Sequence, residues 1–135
     1  MNEQQWEQEY ESLMEIARQH LDPTWEHGEV VVLKTVKGNT YIAQIQDYRD
    51  MEVREPQENR CIQQLDDADD TEVFCCLATI NGEHPDILSW NFRERLMELN
   101  ARNLDTEAFL WGGGDTVLLK PFHWLLPPGY QIKEK

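Results

Sequence analysis

The sequence contains no hydrophobic run long enough to cross a membrane. Its apolar stretches fall far short of the roughly 20 residues that span a bilayer as a helix. Residues 1–6 hold neither a basic cluster nor an apolar segment, so we expect no signal peptide. Together these absences predict a cytoplasmic protein without a membrane partner.

Cysteine is scarce, and its three positions do not have the spacing of a zinc site. Cys61, Cys75 and Cys76 are odd in number, and a disulfide between the two neighbours would be strained. No two cysteines have the Cys-x-x-Cys spacing typical of zinc sites, and the four histidines are scattered. We therefore expect reduced thiols in the core, no metal and no cofactor.

Basic residues are also few. Twelve lysines and arginines stand against 26 acidic residues, which gives a net charge of −14. A field of this sign repels nucleic acid and anionic membranes and attracts basic surfaces. A high net charge also keeps an ordinary protein soluble. The charge therefore argues against direct nucleic-acid binding and leaves a basic protein surface as the favoured partner.

Residues 73–80 are the stretch around which the predicted fold is organised. They carry no charge, are rich in β-branched and aromatic types, and are followed by Asn81-Gly82, which is typical of a turn. Such a run predicts a strand that is buried on both faces. Two antiparallel hairpins are predicted on either side of it, residues 29–36 with 41–46 and residues 107–111 with 116–120.

Two helices are predicted from apolar residues at helical spacing. The first ends at Asp22-Pro23, because a proline restricts the residue before it. Its apolar stripe is Trp6, Tyr10, Leu13, Met14, Ala17 and Leu21. The second begins near Pro85, and its stripe is Leu88, Phe92, Leu96 and Leu99.

An acidic segment separates the first hairpin from the central strand. Residues 47–72 hold ten acids and three arginines among few apolar residues, and we interpret them as a long connection with one short strand near residues 60–64. The order of elements predicts a single α+β domain over residues 1–135, with a mostly antiparallel sheet of about five strands and two helices. The proline-broken tail, residues 121–130, is expected to pack across the sheet.

The acidic connection is also the first candidate for a working surface. Its carboxylates would stand where the phosphates of a nucleic acid stand, so arginines of a partner would bind them. The candidate partner-binding residues are Asp66, Asp67, Asp69, Asp70 and Glu72. The first hypothesis is therefore an acidic inhibitor or nucleic-acid mimic that occupies a basic, nucleic-acid-handling surface of another protein. It requires no catalytic residue.

A second hypothesis is a small anion- or nucleotide-binding domain or enzyme. Arg95 and Arg102 lie seven residues apart, and with the glycine turn around Gly113 they would form an anion pocket. His84 or His123 would carry a proton in that pocket. This hypothesis explains the glycines but not the net charge.

A third hypothesis is a structural subunit of a homo-oligomer. Large aromatic side chains are enriched in interfaces between subunits. The candidates for such an interface are Trp90, Trp111 and Trp124.

Overall fold

Three helices pack against a five-stranded sheet in the computed structural model, which describes residues 1–126. The elements are α1 (Glu3–His20), β1 (Glu29–Thr35), β2 (Thr40–Ile45), α2 (Met51–Asp67), β3 (Val73–Thr79), α3 (Trp90–Leu99), β4 (Glu107–Trp111) and β5 (Val117–Pro121). Short 3₁₀ helices span Ala101–Asp105 and Phe122–Leu125. No helix within these 126 residues has the length and apolarity to cross a bilayer. The predicted α+β class with five strands is confirmed.

The sheet has the strand order β2-β1-β3-β4-β5. Its pairs are antiparallel except for β3 and β4, which run parallel and are joined through α3. Both predicted hairpins, β1 with β2 and β4 with β5, are confirmed. Because β3 and β4 are parallel, their carboxyl ends lie at the same end of the sheet, where β1 also begins at Glu29. We call this the Glu29 end of the sheet.

Helix α1 covers one face of the sheet. Asn2 and Gln5 form a reciprocal capping box at its start, which satisfies two backbone N–H groups that a helix leaves free. Its buried residues Leu13, Met14 and Ala17 pack against residues of β1, β3 and β4. The predicted N-terminal helix is therefore confirmed, and its apolar stripe forms half of the core.

Helices α2 and α3 cover the opposite face. Phe92 and Leu96 from α3 and Leu65 from α2 pack against the alternate residues of the strands. β3 therefore contacts helices on both faces, and all but one of its residues are buried, as its uncharged sequence predicts. Helix α3 begins at Trp90 after the cap Ser89, whereas the sequence predicted a start near Pro85. Asp86, one residue after that proline, pairs with Ala78 in an isolated β-bridge.

The interpretation of residues 47–72 as a long connection with a short strand is wrong. They contain the 17-residue helix α2, which is capped by the Asp50 side chain bonding to the Glu52 N–H. The buried residues of this helix are Arg54, Glu58, Cys61 and Leu65. Two of these four are charged, so a search for apolar periodicity does not detect the stripe.

Part of the predicted tail can be located. Pro121 ends β5, and Phe122 is buried in the core beneath α2 and α3. Residues 127–130, the rest of the predicted tail segment, lie outside the described residues.

Candidate functional site

The acidic residues at the end of α2 do not share one exposed field. Asp66, Asp67 and Asp69 are exposed. Glu72 is half-buried and pairs with Arg102, with 3.6 Å between the Nη1 and Oε2 atoms. Asp70 is 2% exposed, so its carboxylate serves the fold and faces no partner.

Asp70 joins the start of β3 to the first hairpin. One of its oxygens, Oδ2, accepts hydrogen bonds from Thr35 Oγ1 at 2.9 Å, Asn39 Nδ2 at 2.9 Å and Tyr41 Oη at 3.0 Å. Burial raises the pKa of Asp70, but these three hydrogen bonds outweigh it and hold the pKa below its ordinary value. Asp70 is therefore a structural carboxylate.

The two arginines of the proposed anion pocket have different carboxylate partners, and an anion pocket that joins them to Gly113 stays a prediction. Arg95 on α3 pairs with Glu55 at 3.1 Å, and Arg102 on the following 3₁₀ helix pairs with Glu72. Gly113 lies in the turn between β4 and β5 with a φ of 95°, a left-handed conformation that glycine adopts easily. The two arginines thus belong to separate ion pairs.

The two histidines proposed as proton carriers lie far apart in the chain and have different neighbours. His84 stacks on Trp111, with 4.1 Å between ring centroids, and the Trp111 indole N–H bonds to the Gly114 carbonyl oxygen at 2.9 Å. The structure therefore brings His84 to the glycine turn. His123 instead lies 3.1 Å from the carbonyl oxygen of Leu104.

The tryptophans of the proposed homo-oligomer interface differ in exposure. Trp111 is 48% exposed and Trp124 is 62% exposed, whereas Trp90 is half-buried beside Arg93. A subunit interface that uses them stays a prediction.

A buried charge cluster lies at the Glu29 end of the sheet. Arg54 on α2 donates from Nε to Glu58 at 2.7 Å, from Nη2 to Glu29 at 2.5 Å and from Nη1 to the Tyr48 carbonyl oxygen at 2.8 Å. Arg54, Glu58 and Glu29 are 6%, 0% and 3% exposed. One guanidinium therefore bridges two buried carboxylates and joins α2 to the first residue of β1.

Helix α3 completes this cluster. Glu58 also accepts hydrogen bonds from Ser89 Oγ at 2.7 Å and from Asn91 Nδ2 at 3.1 Å. Ser89 Oγ at the same time accepts the Phe92 N–H, so the cap of α3 is held by the cluster. We call these five residues, Glu29, Arg54, Glu58, Ser89 and Asn91, the Arg54 cluster.

Glu29 is the titratable member of the cluster with a strongly changed pKa. Burial raises the pKa of Glu29 to about 7, because desolvation outweighs the lowering by Arg54. The neighbouring carboxylates of Asp86 and Glu58 raise it further. Glu29 therefore changes its protonation near neutral pH, within a site whose other charges are already paired.

The described residues thus form a three-layer α+β domain, with α1 on one face of a mixed sheet and a closed charge cluster under the helices of the other. Solved cytidine deaminases share this fold. The enzyme from Burkholderia pseudomallei has a TM-score of 0.65 and 16% identity over 89% of this chain and 98% of its own. The enzyme from Mycobacterium leprae has a TM-score of 0.64 and 14% identity over 87% of this chain and 97% of its own.

A third solved structure extends the likeness. The cytidine deaminase from Bacillus anthracis has a TM-score of 0.63 and 16% identity, and the match covers 89% of this chain and 88% of that one. At these identities the likeness establishes the fold alone. No protein-family model matches the chain, and no curated protein matches it in sequence.

These matches overturn the first functional hypothesis. The three solved chains compared above are cytidine deaminases, so the prediction of an acidic inhibitor or nucleic-acid mimic is wrong. The burial of Asp70 removes one of the five carboxylates on which that hypothesis relied. The second hypothesis, a small-molecule site, agrees better with the fold.

The residues present do not fit the metal of a zinc deaminase. Such enzymes hold Zn²⁺ with one His or Cys and two further Cys, in a His-x-Glu and Pro-Cys-x-x-Cys pattern. His27-Gly28-Glu29 has the first spacing, but no Cys-x-x-Cys occurs anywhere in the sequence. Within residues 1–126, no group of three or more His, Cys, Asp or Glu side chains is placed to hold a metal. The expected zinc ligands are therefore missing from this chain.

Sequence reasoning missed the Arg54 cluster for an identifiable reason. Arg54 and Glu58 are spaced i, i+4, which on a helix places them on one face, and Cys61 and Leu65 continue that face. The i, i+4 spacing of Arg54 and Glu58 indicates a shared face only if this segment is helical. The partner Glu29 lies 25 residues earlier, so no local pattern connects it to Arg54.

Proposed function

We propose that this chain is a small-molecule-binding protein built on the fold of cytidine deaminases, and that it does not deaminate its ligand through zinc. The observation that carries this proposal is a likeness over nearly the whole of both chains in a sequence that lacks the zinc-binding cysteines. Nucleosides are the first ligands to test, because the solved relatives by fold are named for cytidine.

The Arg54 cluster supports binding without this chemistry. Each charged group in it is buried and already bonded to another member or to the backbone. A group that is to transfer protons to a substrate must come within hydrogen-bond reach of it. The closed cluster leaves its charges occupied by one another, so its role is to join β1, α2 and α3.

We also propose that the chain acts in the cytoplasm. Its three cysteines are free and buried. Free thiols are usual in reducing compartments, where disulfides seldom persist.

Two measurements on the purified chain test the proposal. In the first, cytidine is incubated with the chain, with added Zn²⁺ or with a chelator, and uridine and ammonia are measured. We expect no release above the protein-free rate in either condition. Zinc-dependent release of ammonia would overturn the proposal.

The second measurement is ligand binding by calorimetry and by ligand-observed NMR. The panel contains cytidine, uridine, adenosine and guanosine, with ribose as the control that lacks a base. We expect saturable binding of at least one nucleoside and none of ribose. If no nucleoside binds, the proposed ligand class is wrong.

A further inference from the structure

We infer that the groove between the first half of α1 and β5 is a ligand-binding site, and that its ligand is a small organic cation with an apolar body. The groove has a volume of about 920 Å³, which lies within the usual range of small-molecule sites. It is formed on the face of the sheet that α1 covers, with Phe109 in its wall. The Arg54 cluster lies under α2 and α3 on the other face, so this site is separate from it.

The groove is lined by acidic side chains. Glu3, Glu7 and Glu11 line it at intervals of four residues along α1, and Asp115 adds a fourth carboxylate. No lysine, arginine or histidine of the described residues lines it. Like charges spaced i, i+4 on a helix repel each other and cost it stability. A bound cation would relieve this repulsion.

The other acids of α1 provide a contrast within the same helix. Glu9 pairs with Lys34 at 2.6 Å, and Glu15 lies 3.9 Å from Arg18. No such ion pair is made to Glu3, Glu7 or Glu11 by any residue between 1 and 126. The uncompensated carboxylates of α1 are therefore the ones that face the groove.

Aromatic rings also line the groove. Trp6 stacks on Phe74 with 5.2 Å between centroids, and Tyr10 contacts Phe109 with 5.4 Å between centroids. These contacts fix the rings before a ligand arrives, which lowers the entropic cost of binding. Aromatic faces attract organic cations and cover their apolar parts. Carboxylates beside ordered rings are thus suited to an alkylammonium or arylalkylammonium ion.

One side of the groove is formed by apolar residues of β5. Leu118 is 42% exposed and Val117 is 36% exposed, and both belong to β5, the edge strand of the sheet. A hydrated metal ion or a simple inorganic cation gains nothing from such a surface. An organic cation with a hydrocarbon body would bury it.

The experiment compares a cation with its neutral analogue of similar shape. Binding of 2-phenylethylamine and of 2-phenylethanol to the chain is measured by calorimetry, and the contact is mapped by NMR on the Trp6 indole. We expect the amine to bind at least about tenfold more tightly than the alcohol, and the difference to shrink as salt is raised. Equal affinities would overturn the inference.

Two double variants of equal charge locate the site. The variant Glu7→Gln, Glu11→Gln should have an affinity for 2-phenylethylamine that is about tenfold lower than that of the unmodified chain. The control variant Asp66→Asn, Glu98→Gln neutralises two exposed acids elsewhere, and its affinity for the amine should be unchanged. Equal losses in both would show a general charge effect and overturn the site.

This test is independent of the nucleoside test. If 2-phenylethylamine does not bind and cytidine still binds to the Glu7→Gln, Glu11→Gln variant, the groove is not a ligand-binding site but the proposed function stands. If the amine binds and no nucleoside does, the groove stands and the proposed ligand class fails.

Discussion

Arg54 donates to Glu58 across one turn of α2 at 2.7 Å, and neither residue is more than 6% exposed. The same guanidinium bonds to Glu29 at the start of β1, and Glu58 bonds to the cap of α3. Three elements that are distant in sequence, β1, α2 and α3, therefore meet at the Arg54 cluster. Removing the cation of such a buried group leaves carboxylates without a partner, which costs about 3–5 kcal/mol.

Arg54→Ala should therefore destabilise the chain strongly. We expect a loss of about 3–5 kcal/mol in the free energy of unfolding, measured by urea denaturation, because two buried carboxylates lose their cation. Arg49→Ala is the matched control, since Arg49 pairs with Asp47 in an exposed setting, and it should cost less than about 1 kcal/mol. A similar small loss in both variants would contradict a structural role for the cluster.

The stability of the chain should depend on the protonation of Glu29. Because burial raises its folded pKa to about 7, above the ordinary 4.5, its contribution is fully present below pH 4.5 and is lost as the pH rises through 7. Arg54, Glu58 and Asp86 are the charged groups that act on it. Glu29→Gln removes the titration. Between pH 5 and pH 8 the difference in the free energy of unfolding between the variant and the unmodified chain should therefore shift by about 2.5 kcal/mol in favour of the variant.

The comparison is made by urea denaturation at several pH values. Glu52→Gln on the exposed side of α2 is the control, because it changes the net charge by the same amount. A pH dependence of stability that Glu29→Gln leaves unaltered would show that Glu29 is ionised throughout this range.

The parts of the fold that could be predicted are those whose signal is local and apolar. Helix α1, strand β3 and both hairpins follow from periodicity and turn residues that the structure confirms. The parallel pairing of β3 with β4 could not be predicted, because strand order depends on contacts between distant segments.

Helix α2 and the Arg54 cluster could not be predicted, for a different reason. The inner face of α2 carries Arg54 and Glu58, which any apolar pattern counts as exposed. A buried charge is tolerated only when its partners are present, and here they come from β1 and α3. The Arg54 cluster could therefore not be predicted from the sequence of α2 alone, because its partners come from distant segments of the chain.

Asp70 should be essential to the fold while its acidic neighbours are not. Asp70→Ala leaves the groups of Thr35, Asn39 and Tyr41 without their acceptor, so we expect a loss of about 2–4 kcal/mol by urea denaturation. The double variant Asp66→Asn, Asp67→Asn removes two exposed acids of the same segment and should change stability by less than about 0.5 kcal/mol. Equal effects would mean that the hydrogen bonds to Asp70 contribute little.

The three cysteines should be unreactive until the chain unfolds. Burial raises the pKa of Cys61 to about 12, the pKa of Cys75 to about 12, and the pKa of Cys76 well above its ordinary value. Only the thiolate attacks a disulfide reagent, and at pH 8 a pKa near 12 leaves roughly one thiol in 10,000 in that form. Labelling with a chromogenic disulfide should therefore be slow in the native chain and should reach all three thiols in denaturant.

The Arg54→Ala variant tests whether labelling of the cysteines requires unfolding of the chain. If native labelling requires unfolding, its rate should rise in proportion to the unfolded population, and a loss of about 3 kcal/mol corresponds to a rise of more than about 100-fold. Arg49→Ala should leave the rate nearly unchanged. A thiol that labels equally fast in the unmodified chain and in Arg54→Ala would be reached through a local opening, and the core of β3 and α2 would then be less closed than its burial indicates.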